Sequence, residues 1–252
     1  MMQAPSSATP DRSRLVQLLT QLSKAKVSTA EHNLAEQLGR LIDLSDSITL
    51  AEALAQLPKH AGEQTVDEAQ AVQADILSSR KRMIGTITGS FAVGISSSRI
   101  KAPSARATVT PEALQTFEPY HRFYAMHQAE MEANVQGLRA RVRKAVSGFS
   151  TELHQLAELD KTLGDSLEAY NRKLLAVSPK LLEHRFEQLL QQHQANDKTS
   201  NKPSIEEWLA PNGWLTQLYQ DLHDLLLAEL DVRLQPVIGL LEALNEQVNT
   251  TQ

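Results

Sequence analysis

The chain has 252 residues, of which 4% are aromatic and none is cysteine. The missing cysteines exclude a disulfide framework, a thiolate metal site and a cysteine nucleophile. Leu, Ala, Gln and Glu are abundant instead, and these residues favour helices over the sheet of an α/β enzyme. We therefore expect an all-α fold, an elongated helical bundle.

The net charge of −5 is distributed unevenly along the chain. No acid lies between Ile76 and Pro111, whereas six bases do: Arg80, Lys81, Arg82, Arg99, Lys101 and Arg106. The regions on both sides are acidic, so a basic island is expected between two acidic helical regions.

The amino terminus carries no signal pattern, because residues 1–10 are small and polar. We interpret them as a disordered tail. No apolar run reaches the roughly 20 residues that span a bilayer. The sequence therefore predicts a cytoplasmic protein.

An N-terminal helical subdomain is predicted over residues 11–84. Asp11 begins a helix with a leucine stripe, and a capping-box pattern at Ser28 begins a second helix. A third helix ends before Pro58, and a weaker apolar pattern from Val66 to Ile84 predicts a fourth. We expect the first three to form a small antiparallel bundle.

Residues 85–110 are interpreted as a basic, Gly/Ser-rich mobile linker. Their periodicity is poor, and only a short extended stretch is expected, from Phe91 to Ile95. Gly85 and Gly89 suggest a phosphate-binding loop, but no Lys follows at the required position and no apolar strand precedes them. A flexible linker is the better interpretation.

A long-helix bundle is predicted over residues 111–252, and the pair Thr110-Pro111 suits its first helix start. From there a heptad seam typical of a coiled-coil-like helical hairpin or rod develops. A stutter at Gly148 leaves two alternatives open, a kink in one rod or a tight helical turn. The seam consists of Met131, Val135, Leu138, Val142, Ala145, Phe149, Leu153, Leu156, Leu163, Leu167, Tyr170, Leu174, Val177 and Leu181, with Asp160 as its polar member.

The carboxy-terminal part contains two further helix signals. Ser204 caps a short helix, and Asn212 caps the last strong helix, in which Pro236 predicts a kink. Because Trp208 and Trp214 both lie here, we expect this end to dock onto the long helices. A homodimer through the seam is predicted, with closure of the seam by the carboxy-terminal helices as the alternative.

No residue pattern points to catalysis. The eight histidines form no ligand pair at one-turn spacing, so no metal site is expected. A Gly-x-Ser-x-Gly elbow is missing as well. We predict no catalytic residue, no cofactor and no enzyme activity, and we expect Asp160 to fix helix register or to contact a partner.

The basic residues are the sharpest candidates for a binding site. Their bases could neutralise nucleic-acid phosphates or an anionic membrane surface. Because the whole chain is acidic and the aromatics are not interleaved with these bases, an acidic protein partner or pairing within the chain is favoured over nucleic acid. The candidate partner-binding residues are Arg80, Lys81, Arg82, Arg139, Arg141, Arg143, Lys144 and Asp160.

Several stretches resemble a bacterial family, Domain of Unknown Function 3348, over about residues 11–190. The first is LAEQLGRLIDLSDSITL at 34–50; the others are YAMHQAEM at 124–131, LRARVR at 138–143, LAELD at 156–160 and KLLAVSPKLLEHRF at 173–186. The chain departs from the family pattern after the first of these helices, where Leu41 and Leu44 stand in place of a frequent tryptophan.

The resemblance implies no catalytic residue, because the family has none assigned. It implies a gene neighbourhood with a MotA/TolQ/ExbB-like proton channel and an OmpA-like peptidoglycan-binding protein, which is an argument from context. We therefore predict a non-enzymatic scaffold or adaptor that serves such a channel complex from the cytoplasm, peripheral to the inner membrane. A nucleic-acid-binding or regulatory protein that uses the basic residues is the alternative.

Overall fold

The computed structural model describes residues 14–23, 66–92, 98–105, 110–196 and 205–251. Within these ranges the chain is all-α and contains no strand, which confirms the predicted fold class. The helices are α1 (Arg14–Ser23), α2 (Val66–Ser90), α3 (Pro111–Leu114), α4 (Glu118–Val146), α5 (Thr151–Thr162), α6 (Gly164–Leu175), α7 (Ser178–Asn196), α8 (Ile205–Trp208) and α9 (Trp214–Thr251). None of these helices is long and apolar enough to cross a membrane.

A tight turn joins α4 to α5 at Gly148. The Gly148 amide donates to the Ala145 carbonyl at 3.2 Å, and the Ser150 hydroxyl caps α5 by accepting from the Leu153 amide at 3.1 Å. Arg139 of α4 bonds Asp160 of α5, and the two residues lie on opposite sides of the turn along the chain. The two helices are therefore antiparallel. Of the two alternatives at Gly148, the structure has the helical turn.

Beyond α5, the helices α6 and α7 continue back along α4. Arg172 of α6 pairs with Glu132 of α4 at 3.1 Å. Near the beginning of α4, the ring of Tyr120 lies 5.4 Å from that of Phe186 in α7. We call α5, α6 and α7 together the return arm, since they oppose one long helix over most of its length.

The seam predicted to continue to Leu181 loses its phase in the return arm. Val177 is 42% exposed, whereas Leu175 and Leu182 are 2% and 0% exposed. Val177 was therefore wrongly predicted as a core residue. The cause is the break between α6 and α7 at Ala176 and Val177, because a turn resets which positions of the next helix face the core.

Helix α9 is parallel to α4, and α2 is antiparallel to both. Along α9, Tyr219 faces Tyr120 and Glu229 faces Gln128, so both helices advance in the same direction. Along α2, the order reverses: its beginning pairs with the end of α4, and its Ser90 contacts His127 nearer the start of α4. The described helices thus form a bundle of α2, α4, α9 and the return arm.

The first part of the seam is buried within one chain. Met131, Val135, Leu138 and Val142 are 0–7% exposed, as predicted, and α4 packs against α2, α5, α7 and α9. The seam of α4 is therefore closed within one chain, with the carboxy-terminal α9 as one of several helices that pack on α4. The predicted homodimer stays a prediction, but it needs a different surface from these four residues.

Helix α2 is longer than the sequence predicted. It was expected to end at Ile84, but it continues to Ser90, six residues into the predicted linker. Gly85 weakens the helix by about 1 kcal/mol, but Ile87 is only 1% exposed, and burying such a side chain stabilises by roughly 2 kcal/mol. The buried Ala102 also packs on the bundle, and its amide donates to the Ser90 carbonyl at 2.8 Å.

The corner before α9 differs from the predicted cap. Asn212 adopts a positive φ of 71°, and Gly213 precedes the helix and accepts from the Gln217 amide at 3.1 Å. A Cβ on Gly213 would lie 2.2 Å from the Trp208 carbonyl oxygen. Gly213 therefore occupies the cap position, because no side chain fits between the corner and α8. The helix then continues through Pro236.

Other predictions concern residues outside the described ranges. These are the tail at 1–10, the second and third helices of the N-terminal subdomain, most of the stretch Phe91–Ile95, and the Ser204 cap. Leu15 of α1 and Ile76 of α2 belong to the same apolar core as Leu138. The division into separate domains nevertheless stays a prediction, since residues 24–65 are not described.

The ion pair at the α4–α5 hairpin gives the first prediction. Changing Asp160→Asn removes the charge that opposes Arg139 and Arg143, whose side chains are only 12% and 24% exposed. We expect the free energy of unfolding to fall by about 3 kcal/mol, since a half-buried positive cluster would lose its counter-charge. Urea denaturation of the full chain measures the change.

The matched control for this variant is Glu158→Gln on the same helix. Glu158 pairs with Lys161, whose side chain is 66% exposed, so its loss should cost less than about 0.5 kcal/mol. Equal losses in the two variants would show that the Asp160 pair contributes no more than a surface contact.

Candidate interaction surface between α2 and α4

The predicted basic residues separate into three contacts in the structure. Arg139 and Arg143 face α5, Arg80 faces α9, and Arg82 and Arg141 meet between α2 and α4. Their spacing along the chain suggested one basic surface. In the structure they lie on different helix faces and contact different neighbouring helices.

Asp160 holds two arginines of α4 at the hairpin. The Arg139 guanidinium donates to both carboxylate oxygens and, at 3.1 Å, to the backbone carbonyl of Asp160. Arg143 lies 3.6 Å from the same carboxylate. Asp160 therefore pairs the two arms of the hairpin, and the register role expected of it stays a prediction.

On the opposite side of α2, Arg80 pairs with Asp231 of α9 at 3.1 Å. The two side chains are 46% and 39% exposed, so solvent screens the pair and it adds little to stability. Lys81 and Lys144 are exposed and make no ion pair with another described residue. Four of the seven predicted bases are thus paired with acids of the same chain.

A groove runs between α2 and α4, and its first half is polar. Ser79, which is 3% exposed, accepts from Arg82 at 3.1 Å and from Arg141 at 3.4 Å. Arg141 also donates to Asp75 at 3.1 Å, and this contact holds the pKa of Asp75 below its ordinary value. Two arginines from different helices therefore converge on one serine.

The second half of the groove contains a shallow cavity of about 80 Å³ above a largely apolar floor. Arg82, Thr86, Glu130 and Asn134 form its sides, and Met83, Ile87, His127 and Met131 form its floor. His127 donates from Nε2 to the Ser90 hydroxyl at 3.0 Å, since that hydroxyl itself donates to the Ile87 carbonyl. Burial lowers the pKa of His127 to about 4, so the floor is uncharged near neutral pH.

The composition of the groove suits binding to another protein. Its sides carry two arginines, Arg82 and Arg141, and two carboxylates, Asp75 and Glu130. Amide and hydroxyl groups lie between these charges, and the floor is apolar. Such a mixed surface matches the polar rim and apolar centre of a protein interface.

A second polar cluster lies inside the bundle, where the sequence suggested none. Glu229 of α9 is 0% exposed, and it accepts hydrogen bonds from the Tyr124 hydroxyl and, at 3.1 and 3.2 Å, from the Gln128 amide. Burial raises the pKa of Glu229 above its ordinary value. Burial and the nearby Glu229 raise the pKa of Tyr124 as well.

The cluster continues toward the return arm. Arg233, one turn after Glu229, is 8% exposed and lies 3.9 Å from Glu132, which in turn pairs with Arg172. Ser178, at the start of α7, is fully buried beside Glu229. One signal could have revealed the cluster: Glu229 interrupts the leucine-rich stretch of α9 on the side where its neighbours are buried.

The raised pKa of Glu229 predicts how stability depends on pH. The folded chain keeps this proton at pH values where the unfolded chain has released it. The stabilisation is therefore complete below the ordinary pKa of 4.5 and is lost as pH rises through the raised value. The Gln side chain of the Glu229→Gln variant stays neutral at every pH. The free energy of unfolding of this variant should therefore rise relative to that of the wild type between about pH 4.5 and pH 8.

Denaturant unfolding at several pH values measures this difference. His127 titrates in the same range, but it is present in both proteins and cancels from the comparison. Glu242→Gln on the exposed face of α9 is the control, and its curve should run parallel to the wild type. A parallel curve for Glu229→Gln would contradict the raised pKa.

Metal ligands do not converge in the part of the chain that the structure describes. No group of three His, Asp or Glu side chains there could hold a metal ion.

Comparison with known protein families gives a match. The model of a family described as Protein of unknown function (DUF3348) matches residues 1–246, nearly the whole chain. No curated protein and no solved structure matches the sequence or the fold.

Proposed function

The chain belongs to this family of unknown function, and we propose that it is a non-enzymatic helical scaffold or adaptor that binds a protein partner through the α2–α4 groove. The observation that carries the proposal is the groove itself. Its side chains come from two helices that the core holds in a fixed relation, so they are organised before a partner arrives.

The charge pattern supports a protein partner over a polyanion. A nucleic acid is bound by a surface of one sign, because each phosphate contact requires an unpaired base. Here Arg80, Arg139, Arg141 and Arg143 are engaged with acids of the same chain. A partner with its own acids and bases can pair with Arg82 and Glu130 together.

The partner we propose is a MotA/TolQ/ExbB-type proton channel of the envelope. The support is the gene neighbourhood that family membership implies. The protein would act from the cytoplasmic side, peripheral to the inner membrane, as an accessory of the channel complex.

Co-purification of the tagged full chain with the channel protein tests this function. Arg82→Glu reverses one charge in the groove, and we expect it to lower the captured amount about tenfold, equivalent to ~1.4 kcal/mol. Arg122→Glu is the matched control, since Arg122 lies on an exposed face of α4 and pairs with Glu118. No capture by the wild type, even after crosslinking, would contradict the channel as partner.

Nucleic-acid binding is the alternative that one observation favours. Lys81 and Lys144 have no acidic partner among the described residues, and Arg82 donates a hydrogen bond to the Ser79 hydroxyl at 3.1 Å. If these bases contact phosphates, binding should weaken steeply between about 50 and 200 mM salt. Reversing Arg80, Lys81 and Arg82 should then abolish it. Fluorescence anisotropy with a labelled duplex measures both, and salt-insensitive or undetectable binding would exclude this alternative.

A further inference from the structure

The outer face of α2 points away from the bundle. Ala69, Ile76, Met83 and Ile87 bury the inner face. The opposite side repeats at heptad spacing and is exposed at every position from the start of the helix to its last turns. These positions are Asp67, Gln70, Ala74, Leu77 and Lys81. Positions at this spacing lie on one side of the helix, along which a second helix can pack.

Leu77 gives this face an unburied apolar centre. It is 59% exposed, more than the other exposed large apolar residues, Met126 and Val177. Ala74 and Ser78 lie beside it, and their small side chains let a second helix axis approach to about 8 Å. The face therefore combines an apolar contact with room for a close neighbour.

The charges of the face identify which neighbour fits. Asp67 lies at its beginning and Lys81 lies near its other end, about 21 Å away along the helix. Neither makes an ion pair with another described residue. An antiparallel copy of α2 centred at Ala74 would place each Lys81 opposite the other copy's Asp67. A parallel copy would place like charges together.

We propose that two copies of this chain associate through the outer face of α2, antiparallel about Ala74. The contact is isologous, so each copy contributes the same residues and the charge pairs form twice. It replaces the seam of α4 as the surface for a dimer, because the first part of that seam is buried within one chain. It is also independent of the α2–α4 groove, which lies on another side of α2.

The absence of cysteine from the chain allows a sharp test by disulfide crosslinking. Ala74→Cys should give a covalent dimer under mild oxidation, because both copies present this residue at the centre. A mixture of Asp67→Cys and Lys81→Cys chains should crosslink with each other. Neither should crosslink with itself, since the equivalent residues would be about 21 Å apart, beyond the ~7 Å reach between Cα atoms.

Glu246→Cys, exposed on α9, is the control and should stay monomeric. Self-crosslinking of Asp67→Cys without the mixed product would mean a parallel pair and would overturn the proposal. If the Ala74→Cys thiol neither crosslinks nor reacts with an alkylating reagent in the folded chain, then other residues of the same chain cover this face, and the proposal is wrong.

Light scattering over a concentration series tests the charges without crosslinking. The wild type should approach twice the monomer mass as concentration rises. Asp67→Lys and Lys81→Asp should each raise the dissociation constant at least about fivefold, and the double variant should restore it, as expected for two copies of a pair worth ~0.5 kcal/mol each. Circular dichroism confirms that each variant stays helical. A monomer at every concentration, or no rescue by the double variant, would refute the antiparallel pair.

Discussion

Helix α9 is in contact with other helices on nearly every side. It packs against α1, α2, α4, α5 and α7, and its leucines from Leu215 to Leu244 are almost all buried. A helix enclosed in this way cannot rotate or slide without separating several contacts together. The positions of α2 and of the return arm, and hence of the groove between α2 and α4, depend on how α9 is seated.

The polar cluster around Glu229 restricts the position of α9 along its axis relative to α4. Contacts between leucine side chains tolerate small shifts of one helix along another. A buried carboxylate does not tolerate them, because losing its hydrogen-bond donors costs several kcal/mol. Tyr124 and Gln128 supply those donors from one turn of α4, and Arg233 links the cluster to Glu132. A displacement of α9 by one turn would leave the Glu229 carboxylate buried without its hydrogen-bond donors. The cluster thus selects one register of two parallel helices.

Local patterns predicted those features that depend on neighbours in sequence. Helical periodicity was sufficient for Met131 to Val142, and the Thr110 cap follows from residue type alone: its hydroxyl accepts from the Ala113 amide at 3.3 Å. Features set by tertiary packing were missed. The end of α2 depends on the burial of Ile87, and the phase after Val177 depends on a turn without glycine or proline at its centre. The partners of the arginines depend on which helices lie side by side.

The antiparallel hairpin at Gly148 has a consequence for how the chain folds during synthesis. Contacts between α4 and α5 are short-range in sequence and can form as soon as both helices leave the ribosome. The face of α4 that receives α9 must wait for a helix roughly 100 residues further on, which is on the order of 5–20 s of translation. Through that interval the side of α4 that faces α9 lacks its partner helix. The nascent chain therefore exposes this apolar surface until late in synthesis, when chaperone binding or a premature contact with another nascent copy competes with folding.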